Sequence, residues 1–269
     1  NRMNKKYPFL IIGLIFLLFA WGCQNLPTTP TPDDEITYFV WVGDDSLDTG
    51  PIDMQTLLFL EMNGYDLPVQ MNREISPRNV LSFPPASLDF LENYVGKKNV
   101  NVILQMFGLD LGFSDEEFIN NANEWIKVLQ QKNAQPILLY PWISQVASQE
   151  TIDRLDVLVH QFAWQHKLIL IPVGPAWSMV QKDHPEILLY ASDGIHPSPE
   201  GVYLTACVAY ASISGHSPLE ISARTSVGYD HPSEIITLDD SVVLVLQESA
   251  WKVLQDYEQK GEFKVFMSK

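Results

Sequence analysis

VNVILQMFGLDLGFSDEEFINNANEWIKVLQQKNAQPILLY, residues 100–140, carries the alternation that decides the fold. Val100–Met106 (VNVILQM) reads as a β-strand. Asp115–Gln131 brings Phe118, Ala122, Trp125 and Leu129 onto one helical stripe. Ser114 and Glu117 form a capping box at its start. Gln135–Tyr140 (QPILLY) reads as the next strand. Near-continuous apolar strands on either side of an amphipathic helix point to a parallel sheet covered on both faces.

The same alternation extends in both directions. Ile36–Val42 (ITYFVWV) reads as a strand that stops at Gly43, Met54–Met62 as a helix, Leu67–Met71 as a short strand and Leu88–Tyr94 as a short helix. Thr151–His166 reads as a helix and Leu168–Val173 as a strand. Ser198-Pro199 is an N-cap followed by proline at the first helical position, opening a helix to about Ser212. A last helix, Asp240–Tyr257, starts acidic, as the helix dipole favours, and could cover a sheet edge. The expected fold is a three-layer α/β/α sandwich with a doubly wound, mainly parallel sheet, in a single domain over 36–269. Such sheets bind ligands at the carboxyl ends of their strands. The segments to inspect are therefore Gly43–Gly50, Phe107–Gly112, Pro141–Gln145 and Gly174–His196.

The chain has 17 basic and 33 acidic residues, a net charge of −16. That excess repels a phosphate backbone and argues against nucleic acid as a partner. Arg2, Lys5 and Lys6 precede Cys23 and no acidic residue does, so the remainder is more acidic still. Phe9–Ala20 (FLIIGLIFLLFA) has the length of a signal-peptide core, short of the roughly 20 residues of a spanning helix. Phe19-Ala20-Trp21-Gly22-Cys23 resembles a bacterial lipobox, which implies a signal peptide over 1–22 and lipidation of Cys23. Residues 23–35 would then be the attachment site and a Pro/Thr-rich tether (NLPTTPTPDDE from Asn25). The expected location is the bacterial cell envelope, outside the cytoplasm, with the membrane as a partner through lipidated Cys23. Cys207, in the apolar run TACVAYA, reads as a small buried hydrophobe. No Cys or His pair has ligand spacing, so neither a metal nor another cofactor is expected.

The chemistry concentrates in Asp193-Gly194-Ile195-His196-Pro197-Ser198-Pro199-Glu200-Gly201. An Asp and a His three apart on a turn can aim both side chains into one cleft, the Asp orienting an imidazole that acts as general base. With proline after the histidine and a glycine at the helix start, the segment is similar to the last block of the SGNH (GDSL-type) hydrolases. The family's first block, Gly-Asp-Ser-Leu with a later glycine, is similar to Asp45-Ser46-Leu47 plus Gly50, with Asp44 at the first glycine's place. A second register starts at Gly43-Asp44 and puts Asp45 at the serine place. Residues 137–142 (ILLYPW), 172–177 (PVGPAW) and 184–193 (HPEILLYASD) follow the block order of a subset of the family, and the resemblance covers roughly 36 to 218.

The resemblance implies an SGNH/flavodoxin-like fold and a serine esterase acting on acyl or acetyl esters. Ser46 would be the nucleophile, His196 the base and Asp193 its orienter. The substrate would be a small-molecule or carbohydrate ester. The family's oxyanion donors include a glycine of the second block and an asparagine of a Gly-x-Asn-Asp block. Here Gly108-Leu109-Asp110-Leu111 puts Asp110 at the asparagine place, and Asn72–Phe83 contains no glycine. An ionised Asp110 would repel an oxyanion. Gln105, Asn72 and Asn79 offer amides instead, although Gln105 could simply point along its strand. Asp45, Gln105, Gly108 and Asp110 are accordingly the candidate site-lining residues. These departures motivate a second reading, a catalytically impaired lipoprotein of this fold that binds a glycan or a surface partner. Trp142 and Trp177 suit either the lining of a sugar cleft or core packing. His160 and His166 are expected at a helix surface, and His184, His216 and His231 in loops.

Overall fold

The computed structural model describes residues 36–43, 50–63, 69–75, 89–105, 114–227 and 234–267, all within the unit Ile36–Lys269. The sheet is built from five of the apolar runs: β1 (Thr37–Gly43), β2 (Val69–Ile75), β3 (Val100–Gln105), β4 (Gln135–Tyr140) and β5 (Ile169–Pro172). Every neighbouring pair is parallel, in the order β2-β1-β3-β4-β5. β1, β3 and β5 are buried along their whole length, which is why they read as continuous apolar runs. The order reverses at β1, so the crevice outside the carboxyl ends of β1 and β3 is the switch point where such sheets bind ligands.

The connecting helices are α1 (Ile52–Met62), α2 (Asp89–Glu92), α3 (Asp115–Gln131) and α4 (Gln149–His166). With the strand order β2-β1-β3-β4-β5, the right-handed rule for crossovers between parallel strands places α1 on one face and α3 and α4 on the other. Ser114 and Glu117 close the expected capping box on α3, and α3 buries its Phe118 stripe. Phe118 meets Phe162 of α4 with ring centroids 5.5 Å apart, and Arg154 pairs with Asp115 at 2.7 Å. On the opposite face, Phe59 of α1 packs on Tyr203 of α6 (Pro199–Ser214), ring centroids 5.3 Å apart. α6 is buried from Gly201 to Ser214, Cys207 included. A helix apolar all round belongs inside, and here it is enclosed by its neighbours.

Three features differ from the sequence reading. Val173, read as the end of a strand, and residues 174–183, given no element by the sequence reading, form helix α5 (Val173–Asp183). Gly174 and Pro175 suggest a break, yet both fall in the first turn, where a proline costs no helical hydrogen bond. Arg224–Val227 (β6) and Glu234–Thr237 (β7) pair antiparallel in a small separate sheet that no strong alternation announced. The last helix, α7 (Asp240–Lys260), packs on α5 and α6. The free edge of β5 is met by the residues after it: Lys264 bridges Ile169, and Leu170 N–H donates to the Lys264 carbonyl at 3.0 Å. That contact blunts an edge strand.

Two glycines permit close approach. A Cβ at Gly174 would lie 2.5 Å from the Pro141 carbonyl oxygen. A Cβ at Gly201 would lie 2.3 Å from the Leu189 carbonyl oxygen and 2.8 Å from the Trp177 ring. Both obstacles at Gly201 are buried and rigid, so Gly201→Ala should force α6 away from Trp177. The expected cost is about 2–3 kcal/mol, seen as a fall of roughly 5–10 °C in the thermal midpoint. An unchanged midpoint would mean that α6 does not need this approach.

Candidate active site

The Asp193–His196 turn lies beside the carboxyl end of β4. Its path is set by backbone groups with few alternatives. Gly194 takes a φ of +70°, the left-handed region open to glycine. Gly194 N–H donates to the Ala191 carbonyl (3.0 Å), Ala191 N–H donates to the His196 carbonyl (2.8 Å), and Gln145 N–H donates to the Gly194 carbonyl (2.9 Å). Beyond the turn, Ser198 caps α6 by accepting from Gly201 N–H at 3.1 Å, and its hydroxyl donates to the Leu188 carbonyl at 2.6 Å. The dipeptide that announced a helix start thus also ties that start to the segment before the turn.

Within the turn, Asp193 serves three donors. Oδ1 accepts from Ile195 N–H at 2.9 Å and His196 N–H at 3.0 Å. Oδ2 lies 2.5 Å from His196 Nδ1. The imidazole hydrogen bond, followed by the two backbone N–H groups, holds the Asp193 carboxyl down at about 2. A carboxylate ionised at neutral pH can only accept, so Nδ1 carries the proton in this contact. In the neutral ring that leaves Nε2 as the basic nitrogen, the tautomer a general base needs.

Aromatic side chains support the turn from beneath. Trp142 stacks on Trp177 at 4.8 Å between centroids and 12° between planes, and Tyr190 meets Trp177 edge-on at 4.8 Å. Trp142 Nε1–H donates to the Ile195 carbonyl at 2.9 Å, and Tyr190 donates its hydroxyl proton to the Ile143 carbonyl at 2.6 Å. The two tryptophans are 2% and 1% exposed. Their faces are spent on one another, so of the two readings left open by the sequence, core packing holds.

Of the other candidates, Gln105 ends β3, is buried, and accepts at Oε1 from Trp41 Nε1–H at 2.9 Å. Asn72 sits in mid-β2 opposite Val40, away from the carboxyl end of the strand. Asp45, Ser46, Asn79, Gly108, Asp110, His231 and Cys23 lie outside the described residues. Among the described residues no group of His, Cys, Asp and Glu is placed to hold a metal ion.

His160 is not the surface residue expected. Its Nδ1 lies 2.7 Å from the Asp156 carbonyl and its Nε2 2.6 Å from the Tyr257 hydroxyl, while Tyr140 donates to Asp156 Oδ1 at 3.2 Å. Burial pushes His160 down, but Asp156 more than offsets it and the imidazole is raised overall. This cluster joins β4, α4 and α7 along a cavity of about 570 Å³. Helical periodicity puts His160 at the edge of the apolar stripe of α4. Only the distant return of α7 makes that edge an interior.

No family model and no curated protein matches the chain. Solved structures do. A DUF4886 family protein from Bacteroides uniformis superposes with a TM-score of 0.58 at 11% identity, covering 82% of this chain and 95% of its own. A protein from Slackia heliotrinireducens, described as a candidate SGNH hydrolase, gives 0.51 at 16% identity, with coverage of 65% and 97%. A variant of an acetyl-xylooligosaccharide esterase from Geobacillus stearothermophilus gives 0.50 at 16% identity, with coverage of 65% and 94%. At these identities the likeness establishes architecture: the domain has the α/β fold of the SGNH hydrolases.

Because the folded Asp193 carboxyl titrates below its unfolded value, the contribution of its hydrogen bonds is complete above about pH 4. It is lost as the pH falls through about 2. Side-chain carboxyl ¹³C titration should place the Asp193 midpoint near 2 and move it up in His196→Ala. A midpoint near 4 in the unaltered protein would contradict the three-donor arrangement.

Proposed function

We propose that the protein is an ester hydrolase in which Ser46 is the nucleophile, His196 the general base and Asp193 its orienter. The observation that carries this reading is the Asp193–His196 pair, locked in the base tautomer at the carboxyl end of a sheet with the SGNH hydrolase fold. Ser46 stands three residues beyond the end of β1 in sequence, and the residues that follow the strands of such sheets commonly supply their ligand sites. In this scheme Ser46 Oγ attacks the ester carbonyl carbon as His196 Nε2 takes the hydroxyl proton. The tetrahedral intermediate collapses, the acyl carbon–oxygen bond to the alcohol breaks, and the imidazolium returns its proton to the leaving alkoxide. Water then hydrolyses the acyl-enzyme by the same proton route. Asp193 stabilises the imidazolium in both halves without taking the proton.

The substrate in this reading is a small acyl or acetyl ester, with a carbohydrate or another envelope component as the alcohol. Lipid attached at Cys23 would hold the enzyme at the membrane on the outer side of the cytoplasm. Both extensions rest on the sequence resemblances.

The test is turnover of p-nitrophenyl acetate by the full chain in detergent, with cell fractionation alongside. Ser46→Ala and His196→Ala should each lower kcat by about 10³-fold or more. Cys23→Ser should move the protein, still active, out of the membrane fraction. Unchanged turnover in Ser46→Ala would remove Ser46 as nucleophile. A folded protein with no turnover of any ester would favour the binding reading.

A further inference from the structure

The peptide plane joining Ile195 to His196 is held at both ends. Its N–H, on His196, donates to Asp193 Oδ1 at 3.0 Å, and its carbonyl, on Ile195, accepts from Trp142 Nε1–H at 2.9 Å. The His196 side chain hangs from the Cα that closes this plane. Gln145 N–H donates to the Gly194 carbonyl one plane earlier, and the group from outside the turn that bonds this plane is Trp142, at the carboxyl end of β4. It cannot follow a rotation of the turn, because it is 2% exposed and its ring is stacked on Trp177. Trp177 is fixed in turn to α6, its Nε1–H donating to Thr205 Oγ1 at 3.2 Å.

We infer that Trp142 is a positioning residue for the Asp193–His196 pair, acting through the Ile195–His196 peptide. The inference deepens the hydrolase reading and rests on it for its catalytic consequence. The physical argument is local. Without the indole N–H, the Ile195 carbonyl can seek water, and the plane rotates about its flanking bonds. The opposite end then swings the His196 N–H off Asp193 Oδ1. Asp193 loses one of its three donors, and the imidazole that Oδ2 orients loses its fixed direction. Displacements of this size at a reacting group cost rate with little effect on ground-state binding. A buried tryptophan that only filled space would affect stability alone.

The experiment replaces the N–H and keeps the shape. Trp142→Phe retains an aromatic face. If that variant folds poorly, 3-benzothienylalanine at position 142 retains the bicyclic ring and lacks the donor. Two readouts are taken on the full chain: the ¹³C titration midpoint of Asp193, and kcat and KM for p-nitrophenyl acetate. The inference expects the midpoint to rise from about 2 toward the ordinary carboxylate range. It expects kcat to fall by about 10- to 100-fold, with KM within about twofold. Phe118→Leu, at an equally buried position in the packing of α3 on α4, should lower the thermal midpoint while leaving the Asp193 titration where it was. An unchanged Asp193 midpoint in both position-142 variants overturns the inference, whatever happens to stability or rate. A shifted midpoint with kcat unchanged also overturns it. The Asp193 titration needs no turnover. If Ser46→Ala remains fully active, the hydrolase reading falls, while the hold on Asp193 is still decided by the midpoint.

Discussion

The Asp193 carboxylate accepts the Ile195 N–H, the His196 N–H and the imidazole Nδ1–H, all within one turn of chain. Three donors on one carboxylate keep it ionised far below neutral pH, and an ionised carboxylate fixes which imidazole nitrogen carries the proton. The wider structure can be read as what this turn requires. It needs a left-handed glycine at 194, a capped helix start at Ser198, and a buried donor for the carbonyl that faces away from Asp193. Gly201 then lets α6 approach closely enough for Trp177 to lie under the turn.

The parallel sheet brings these parts together. Because all five strands run the same way, the segments that follow β1, β3 and β4 leave from one end of the sheet. Parallel strands also force long crossovers, whose helices cover both faces and make the strands apolar throughout. The segments that follow β4 and β5 and the start of α6 lie apart in the chain and are joined by direct contacts. Pro141 and Trp142 meet Gly174 and Trp177, and these meet Leu189, Tyr190 and Gly201.

Where a feature depends on local chemistry, the sequence was sufficient. Ser114 with Glu117, Ser198 with Pro199, and the apolar stripe of Phe118 each report a neighbour three or four residues away. Asp193 and His196 were legible for the same reason, since both belong to one turn. What depends on a distant partner was not legible. Helix α5 starts across Gly174 and Pro175, whose usual meaning is a break, because Gly174 is needed to pass the Pro141 carbonyl. His160 looks exposed on its own helix and becomes interior only when Tyr257 returns from α7. Trp142 suits a sugar platform on its own, and the Trp177 ring that covers its face comes from a later segment.

The central claim is that the Asp193–His196 pair serves the hydroxyl of Ser46. Labelling with a fluorophosphonate, followed by peptide mass spectrometry, tests it most directly, because the probe reacts with a serine only when a neighbouring base activates it. The account expects one phosphonyl group per chain on the peptide containing Ser46, with labelling lost in His196→Ala although that variant remains folded. A folded protein that takes no label, or that is labelled at another residue, would contradict it.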